Sequence, residues 1–462
     1  MNEAELRFRN ILINNISDKI NNNKLSLYLG AGVSIPSNIP GWKTIVDECC
    51  VEMNIKLNNF EDNYYKLLEY YEIEYGRRAI ISKFTKYIDN AKLKNDTLQA
   101  LSKLNFNKIW TTNFDNVIHD YLTENFITSN IINSDEGFIN ILANEGISII
   151  KLNGDFESEH QIITEQDYLN YELNFKNLYL NFQAELCIHS FLIVGSSLSD
   201  GLFLPTLYKL FKGEKPPHTS YVFCQVPSKE GDEQYRRFKL NSKYLKEMYN
   251  IETILYEDYK DVPILINQIN DICLYKHCFI SGSLPQRRRE DQASLEDNAR
   301  EFCDILVKKL MSNNIKIYSC FGMLIGNYIS FPVTSYCIKN GESTYKYLQI
   351  YPLDNRMSTN DMANFRKKII NKAKYFIAIG GKKSKESGVY NEFLIAKELH
   401  KIIIPIPILG GCGKLIYQEI KKDSSSFPYL RKYLKVLNSN DFNTVANAVL
   451  DIILQCKNNQ YI

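Results

Sequence analysis

Short apolar runs that stop at small or polar residues recur along this chain, with helical stretches between them. The first, Leu25 to Leu29, ends in Gly30-Ala31-Gly32-Val33-Ser34. Others lie at Lys108 to Thr112, Ile147 to Leu152, Phe191 to Val194 and Tyr221 to Gln225. From Trp42 to Leu104, Tyr and Leu recur three and four apart, the helical period. Strands alternating with helices pack as a mostly parallel, doubly wound sheet. A second series opens at His277 to Ile280 and continues at Ile315 to Cys320, Tyr347 to Tyr351, Tyr375 to Ile379 and Lys401 to Ile408. The expectation is an α/β protein of two Rossmann-like domains, residues 1–275 and 276–462, the first with a helical insertion. An opening helix should bury Leu6, Ile11, Ile13 and Ile16 and end at Asn21-Asn22-Asn23.

The formal net charge of +2 gives no reason to expect nucleic acid or an anionic membrane as partner. The triple Arg287-Arg288-Arg289 reads more readily as a solvated helix start or loop than as a nucleic-acid patch. The opening MNEAELRFRN mixes acids with bases, unlike a secretion signal. The apolar stretch Ile402 to Leu409 is too short to span a bilayer. Eleven cysteines without a regular framework fit free thiols in a reducing compartment, so a cytoplasmic protein is expected.

Four strand-end motifs carry the first domain's chemistry. Glycines after a strand, as in Gly30-Ala31-Gly32-Val33-Ser34, let backbone approach a phosphate, although many such turns serve chain geometry alone. Thr111-Thr112-Asn113-Phe114-Asp115 stands at a strand C-terminus, where open α/β sheets bind ligands. Asn113 has both donor and acceptor for a ribose hydroxyl, or is a helix cap. Lys151-Leu152-Asn153-Gly154-Asp155 and Gly195-Ser196-Ser197-Leu198-Ser199-Asp200 follow the next two runs.

In this order the four motifs resemble the sirtuin family, and more closely the sirtuin-like domains of bacterial antiphage proteins. The resemblance covers residues 1–275. It implies NAD in the crevice and cleavage of the nicotinamide–ribose bond. Gly30, Ala31, Gly32 and Ser34 would line the phosphates and ribose. Asn113 and Asp115 would stand near the nicotinamide ribose, and Gly195, Ser196 and Ser197 near the adenosine half. Deacylases of this family usually hold a structural zinc on two Cys pairs, yet no C-x-x-C occurs here, so no metal is expected and water becomes the acceptor. A dehydrogenase is disfavoured, because Asp47 and Glu48, near the distance expected of a ribose-binding acid, read as helical.

The family has His where this sequence has Asn153, a catalytic position under the resemblance. An amide cannot act as a base near neutral pH. Three readings stay open: an engineered inactive variant, a natural relative that cleaves slowly or only binds, or rescue by His119 or His160. Retention of the surrounding motif favours the first.

The second domain repeats the pattern with Ser281-Gly282-Ser283, Gly380-Gly381-Lys382-Lys383, a helix opening at Ser387 that carries Glu392, and Gly410-Gly411. Glycine and lysine at strand ends suit a phosphorylated ligand. Glu392 either accepts from a ribose or merely complements the helix dipole. Arg356, just past a strand, suits a phosphate or is a surface Arg. This half resembles the SLOG superfamily of nucleotide-sensing domains, and the whole chain resembles Thoeris antiphage effectors of the ThsA type. That resemblance implies a cyclic ADP-ribose isomer, made by a TIR-domain partner, that binds the SLOG domain and switches on NAD hydrolysis in a homotetramer or filament. Ser281, Gly282, Ser283, Arg356, Lys382, Lys383 and Glu392 are the candidate sensor residues. A catalytically silent NAD or ADP-ribose sensor is the rival reading.

Overall fold

The computed structural model describes residues 3–57, 63–125, 127–139, 146–157, 161–199, 201–227, 232–284, 289–353 and 356–458. The chain forms two compact units, Met1–Asn270 and Asp271–Ile462. Arg287 and Arg288 of the triple Arg lie outside the described residues.

Seven parallel strands of the first unit are β1 (Leu25–Leu29), β2 (Lys108–Thr111), β3 (Ser129–Ile132), β4 (Ile147–Lys151), β5 (Ser190–Val194), β6 (Ser220–Gln225) and β7 (Ile251–Tyr256). Their order is β3-β4-β2-β1-β5-β6-β7. Every residue of β1 and β5 is buried, as expected of central strands covered by helices on both faces. The connection after β1 runs to one side and returns at β5 to the other, which opens a crevice beyond the ends of β1 and β5.

Helices Trp42–Glu52, Tyr64–Tyr75, Arg77–Ile88 and Asp96–Leu101 form the expected insertion between β1 and β2. Asn63 and Asn95 cap two of them, each accepting two backbone N–H bonds. The insertion packs an apolar cluster, including Ile45, Leu68, Ile80 and Phe84, against Phe114 and Ile163 beside the crevice. The opening helix, Glu3–Asn21, buries Leu12, Ile13, Ile16 and Ile20. Leu6 and Ile11, expected on its inner face, are exposed; the buried stripe begins at Leu12 and runs down its C-terminal half.

The second unit contains β8 (His277–Ser283), β9 (Lys316–Ser319), β10 (Leu348–Ile350), β11 (Tyr375–Gly380) and β12 (Ile402–Ile406), all parallel, in the order β10-β9-β8-β11-β12. The chain again reverses direction across the sheet, here between β8 and β11. Phe279, Phe302, Tyr375, Phe376 and Phe393 are among its largest fully buried side chains.

Candidate functional site

The four motifs of the first unit converge because their strands are neighbours in register. Leu29 pairs with Thr111 and with Val194, and Thr111 pairs with Lys151. The residues just beyond those pairs therefore share one edge of the sheet. The Gly30 N–H donates to Val194 O at 3.0 Å and the Gly32 N–H to Gly195 O at 2.8 Å. A Cβ on Gly30 would stand 2.6 Å from Gly195 O, and one on Gly195, whose φ is +71°, would stand 2.5 Å from the Val33 nitrogen. The glycines thus serve the contact between two turns, and the N–H groups of Gly30 and Gly32 are already engaged there.

Asn113, just past β2, is buried beside the turn after β1. Its Nδ2 donates to Gly30 O and to Ser34 Oγ, both at 3.1 Å. The Ser34 hydroxyl in turn donates to Asp115 Oδ2 at 2.9 Å. Burial pushes the Asp115 carboxyl up, opposed by the Ser34 hydrogen bond and the charge of Lys151. Lys151, also buried, donates to Phe114 O at 2.7 Å and Asn116 Oδ1 at 2.6 Å and lies 3.6 Å from Asp155. It ties the loop after β2 to the loop after β4, a role its place in a motif did not reveal. Burial lowers its ammonium pKa, against the carboxylates of Asp155 and Asp115.

Asn153 follows β4 and is 1% exposed. Its Nδ2 donates to the Tyr168 hydroxyl at 3.1 Å. The Oδ1 atoms of Asn113 and Asn153 are both buried without a hydrogen-bond partner among the described residues. An unmet buried acceptor costs about 1–3 kcal/mol, which a donor such as a ribose hydroxyl or a held water would offset. Ser196 and Ser197 make local bonds: the Ser196 hydroxyl accepts from the Leu198 N–H, and Ser197 pairs with Ser199. The His119 ring pairs with Ser129 Oγ at 3.0 Å, at the start of β3 and so at the opposite end of the sheet from the motifs. His119 is therefore no substitute base. His160 lies outside the described residues.

In the second unit, Ser281 Oγ donates to Glu392 Oε2 at 2.5 Å, and Arg366 Nε lies 3.2 Å from Glu392 Oε1. Ser387 caps the helix Gly388–Glu398, which brings Glu392 over the end of β8. Burial raises the Glu392 carboxyl, while Ser281 and Arg366 hold it down. Glu392 is thus a buried, bonded group and more than a complement to the helix dipole. Gly282 packs against Ile325 and Ile379, and Ser283 O accepts from the Gly381 N–H. Lys382 and Lys383 are exposed in the turn after β11, and Arg356 is exposed before the helix Thr359–Ile370. The arginine in the Ser281–Glu392 network is Arg366, which sequence reading missed. It sits inside that helix, where only tertiary packing distinguishes it from its basic neighbours.

Comparison with known proteins bears on both units. Residues 107–254 match the SIR2-like domain family, and residues 261–456 match STALD, the Sir2- and TIR-associating SLOG family. The fold and these matches define the class: a SIR2-like domain followed by a SLOG domain. The "NAD(+) hydrolase ThsA" of Acinetobacter baumannii (strain 532279) is 24% identical over 93% of this chain and 94% of its own. The protein of the same description from Enterococcus faecium is 22% identical over 91% and 92%. Over nearly its whole length, this chain is similar to these ThsA proteins. A solved Sir2 homologue in complex with NAD covers 56% of this chain and 94% of its own at 11% identity and a TM-score of 0.34, too loose an overlap to compare sites.

Proposed function

We propose that this protein hydrolyses NAD in the crevice of its SIR2-like unit and is switched on by a cyclic ADP-ribose-type signal bound in its SLOG unit. In this reading the C–N bond between nicotinamide and ribose breaks, and nicotinamide leaves with the electron pair. A water oxygen bonds to the ribose carbon and releases a proton, giving ADP-ribose. The observation that carries the proposal is the pair of buried, unmet amide oxygens on Asn113 and Asn153, at the edge where four strand-end motifs converge. Acceptors there suit ribose hydroxyls or the attacking water. ThsA proteins named as NAD(+) hydrolases, similar over nearly their whole length, support the same reading.

Water is the acceptor because the sequence lacks paired C-x-x-C motifs for a deacylase zinc module. Asn113 orients, Asp115 holds Ser34, and Asn153 occupies the place of a base. The switch would act through the Ser281–Glu392–Arg366 network, with Lys382 and Lys383, exposed in the turn after β11, available for phosphate. A TIR-domain protein would supply the signal, homotetramers or filaments would be the working assembly, and NAD depletion would stop phage growth. Asn153 favours a second reading, a silent NAD or ADP-ribose sensor, since its amide supplies no proton acceptor. Nicotinamide release is the test, measured with NAD and a panel of cyclic ADP-ribose isomers on the chain as it stands and with Asn153→His. Signal-dependent release establishes the gated hydrolase. NAD binding without release from either form establishes the sensor.

A further inference from the structure

At the end of the second sheet opposite Ser281 and Glu392, the strand starts bring bases together. His277 opens β8 and pairs in register with Lys316, which opens β9. Lys374 and Lys401 stand one residue before Tyr375 and Ile402, which pair with each other. Lys372 follows the helix Thr359–Ile370. Helix C-termini also converge at this end, and their partial negative charge attracts cations. That accounts for Lys401, whose Nζ donates to Asn371 O at 3.1 Å, with Asp271 near both it and Lys374. Among the described residues, the Nζ atoms of Lys316 and Lys372 make no such bond.

Both of these lysines are half-buried, and among the described residues neither lies within 4.0 Å of a carboxylate. Their ammonium groups meet aromatic rings instead. Lys316 Nζ sits 4.0 Å from the centre of the Tyr345 ring and 5.7 Å from that of Tyr318, and Lys372 Nζ sits 5.6 Å from that of Tyr351. Tyr345 is 48% exposed, and its hydroxyl accepts from Gln349 Nε2 at 2.8 Å. The two lysines repel one another: burial, then Lys372, brings Lys316 down to about 8. His277, beside Lys316, Lys372 and Lys276, falls to about 4, chiefly through burial. Positive charge taken partly out of water without a counter-charge favours an anion, and an exposed tyrosine beside it favours a flat ring.

We propose that Lys316 and Lys372, with Tyr318, Tyr345 and Tyr351 around them, form a second ligand site in the SLOG unit, one that holds the phosphate of a small nucleoside phosphate against the lysines and its base against Tyr345. The site lies at the other end of β8 from the Ser281–Glu392–Arg366 network and is independent of the proposed reaction. It is tested by titrating inorganic pyrophosphate, ADP and a short single-stranded oligonucleotide into the full chain by calorimetry. Saturable pyrophosphate binding should weaken at least tenfold in the double variant Lys316→Met/Lys372→Met. It should persist in Lys316→Arg/Lys372→Arg, at unchanged melting temperature, and in Arg366→Met. ADP should bind more tightly than pyrophosphate, and Tyr345→Ala should erase the difference. At pH 8, binding should take up protons, because a phosphate raises Lys316 from about 8 against burial and the charge of Lys372. Absent binding, or equal binding by the methionine double variant, overturns the site. ADP no tighter than pyrophosphate overturns the nucleoside assignment. An oligonucleotide that displaces ADP through the same lysines makes nucleic acid the ligand and overturns the small-molecule proposal.

Discussion

Among the described residues, the amide oxygens of Asn113 and Asn153 are buried at the candidate active site without a hydrogen-bond partner. If the reaction uses a base at position 153, Asn153→His should raise nicotinamide release about 10²–10⁴-fold, read in single-turnover assays with the activator present. An unchanged rate with NAD still bound would favour the sensor. Asn113→Ala removes the amide that holds Gly30 O and Ser34 Oγ. It should lower release by at least tenfold in the same assay, and NAD affinity with it. Asn113, Asp115 and Ser34 were legible in sequence because a strand end followed by polar residues is a local pattern. The tie that Lys151 makes from β4 to Phe114 and Asn116 was not, because it joins residues 35 and 37 positions apart. Arg366 is hidden for the same reason, because its partner Glu392 lies on another helix.

At the scale of elements, the turns after β1 and β5 behave as one unit. Gly195→Ala puts a side chain at a left-handed φ and against the Val33 nitrogen. It should cost at least ~1–3 kcal/mol, measured as a lowered urea midpoint, and weaken NAD binding by displacing Ser34. Central strands were readable as unbroken apolar runs, since both faces are covered. The edge strands β3 and β7 were not read: Asn130 in one and Glu252 and Thr253 in the other break the run, because an edge strand leaves more of its surface to polar residues. The opening helix was found, but its buried side was shifted, since the period sets the angular spacing and not how far along the helix packing extends.

Across the whole molecule, the prediction about control concerns the two units together. If a signal bound in the second unit controls the proposed reaction, Arg366→Met should raise its activating concentration at least tenfold while basal NAD binding stays unchanged, measured by activation curves. A curve superimposable on that of the parent would remove Arg366 from the sensor pocket. Stability should also follow pH through His277. Its folded pKa, about 4, lies below its unfolded value of 6.5, so the unfolded chain gains a proton first as pH falls. The contribution of this residue is complete above about 6.5 and is lost as pH falls towards about 4. Urea unfolding across that window should show the decline, and His277→Gln should flatten it.

The doubly wound class, the two-part organisation, the order of strand-end motifs and the identity of Asn153 within them are legible in the residues alone. These follow from local period, turn chemistry and residue identity. Packing alone brings the motifs to one edge, sets the glycines at a turn-to-turn contact, and holds Glu392 between Ser281 and Arg366. It also gathered Lys316 and Lys372 among tyrosines. Each of these depends on contacts between residues far apart in the chain, and local patterns carry no information about which distant residues meet.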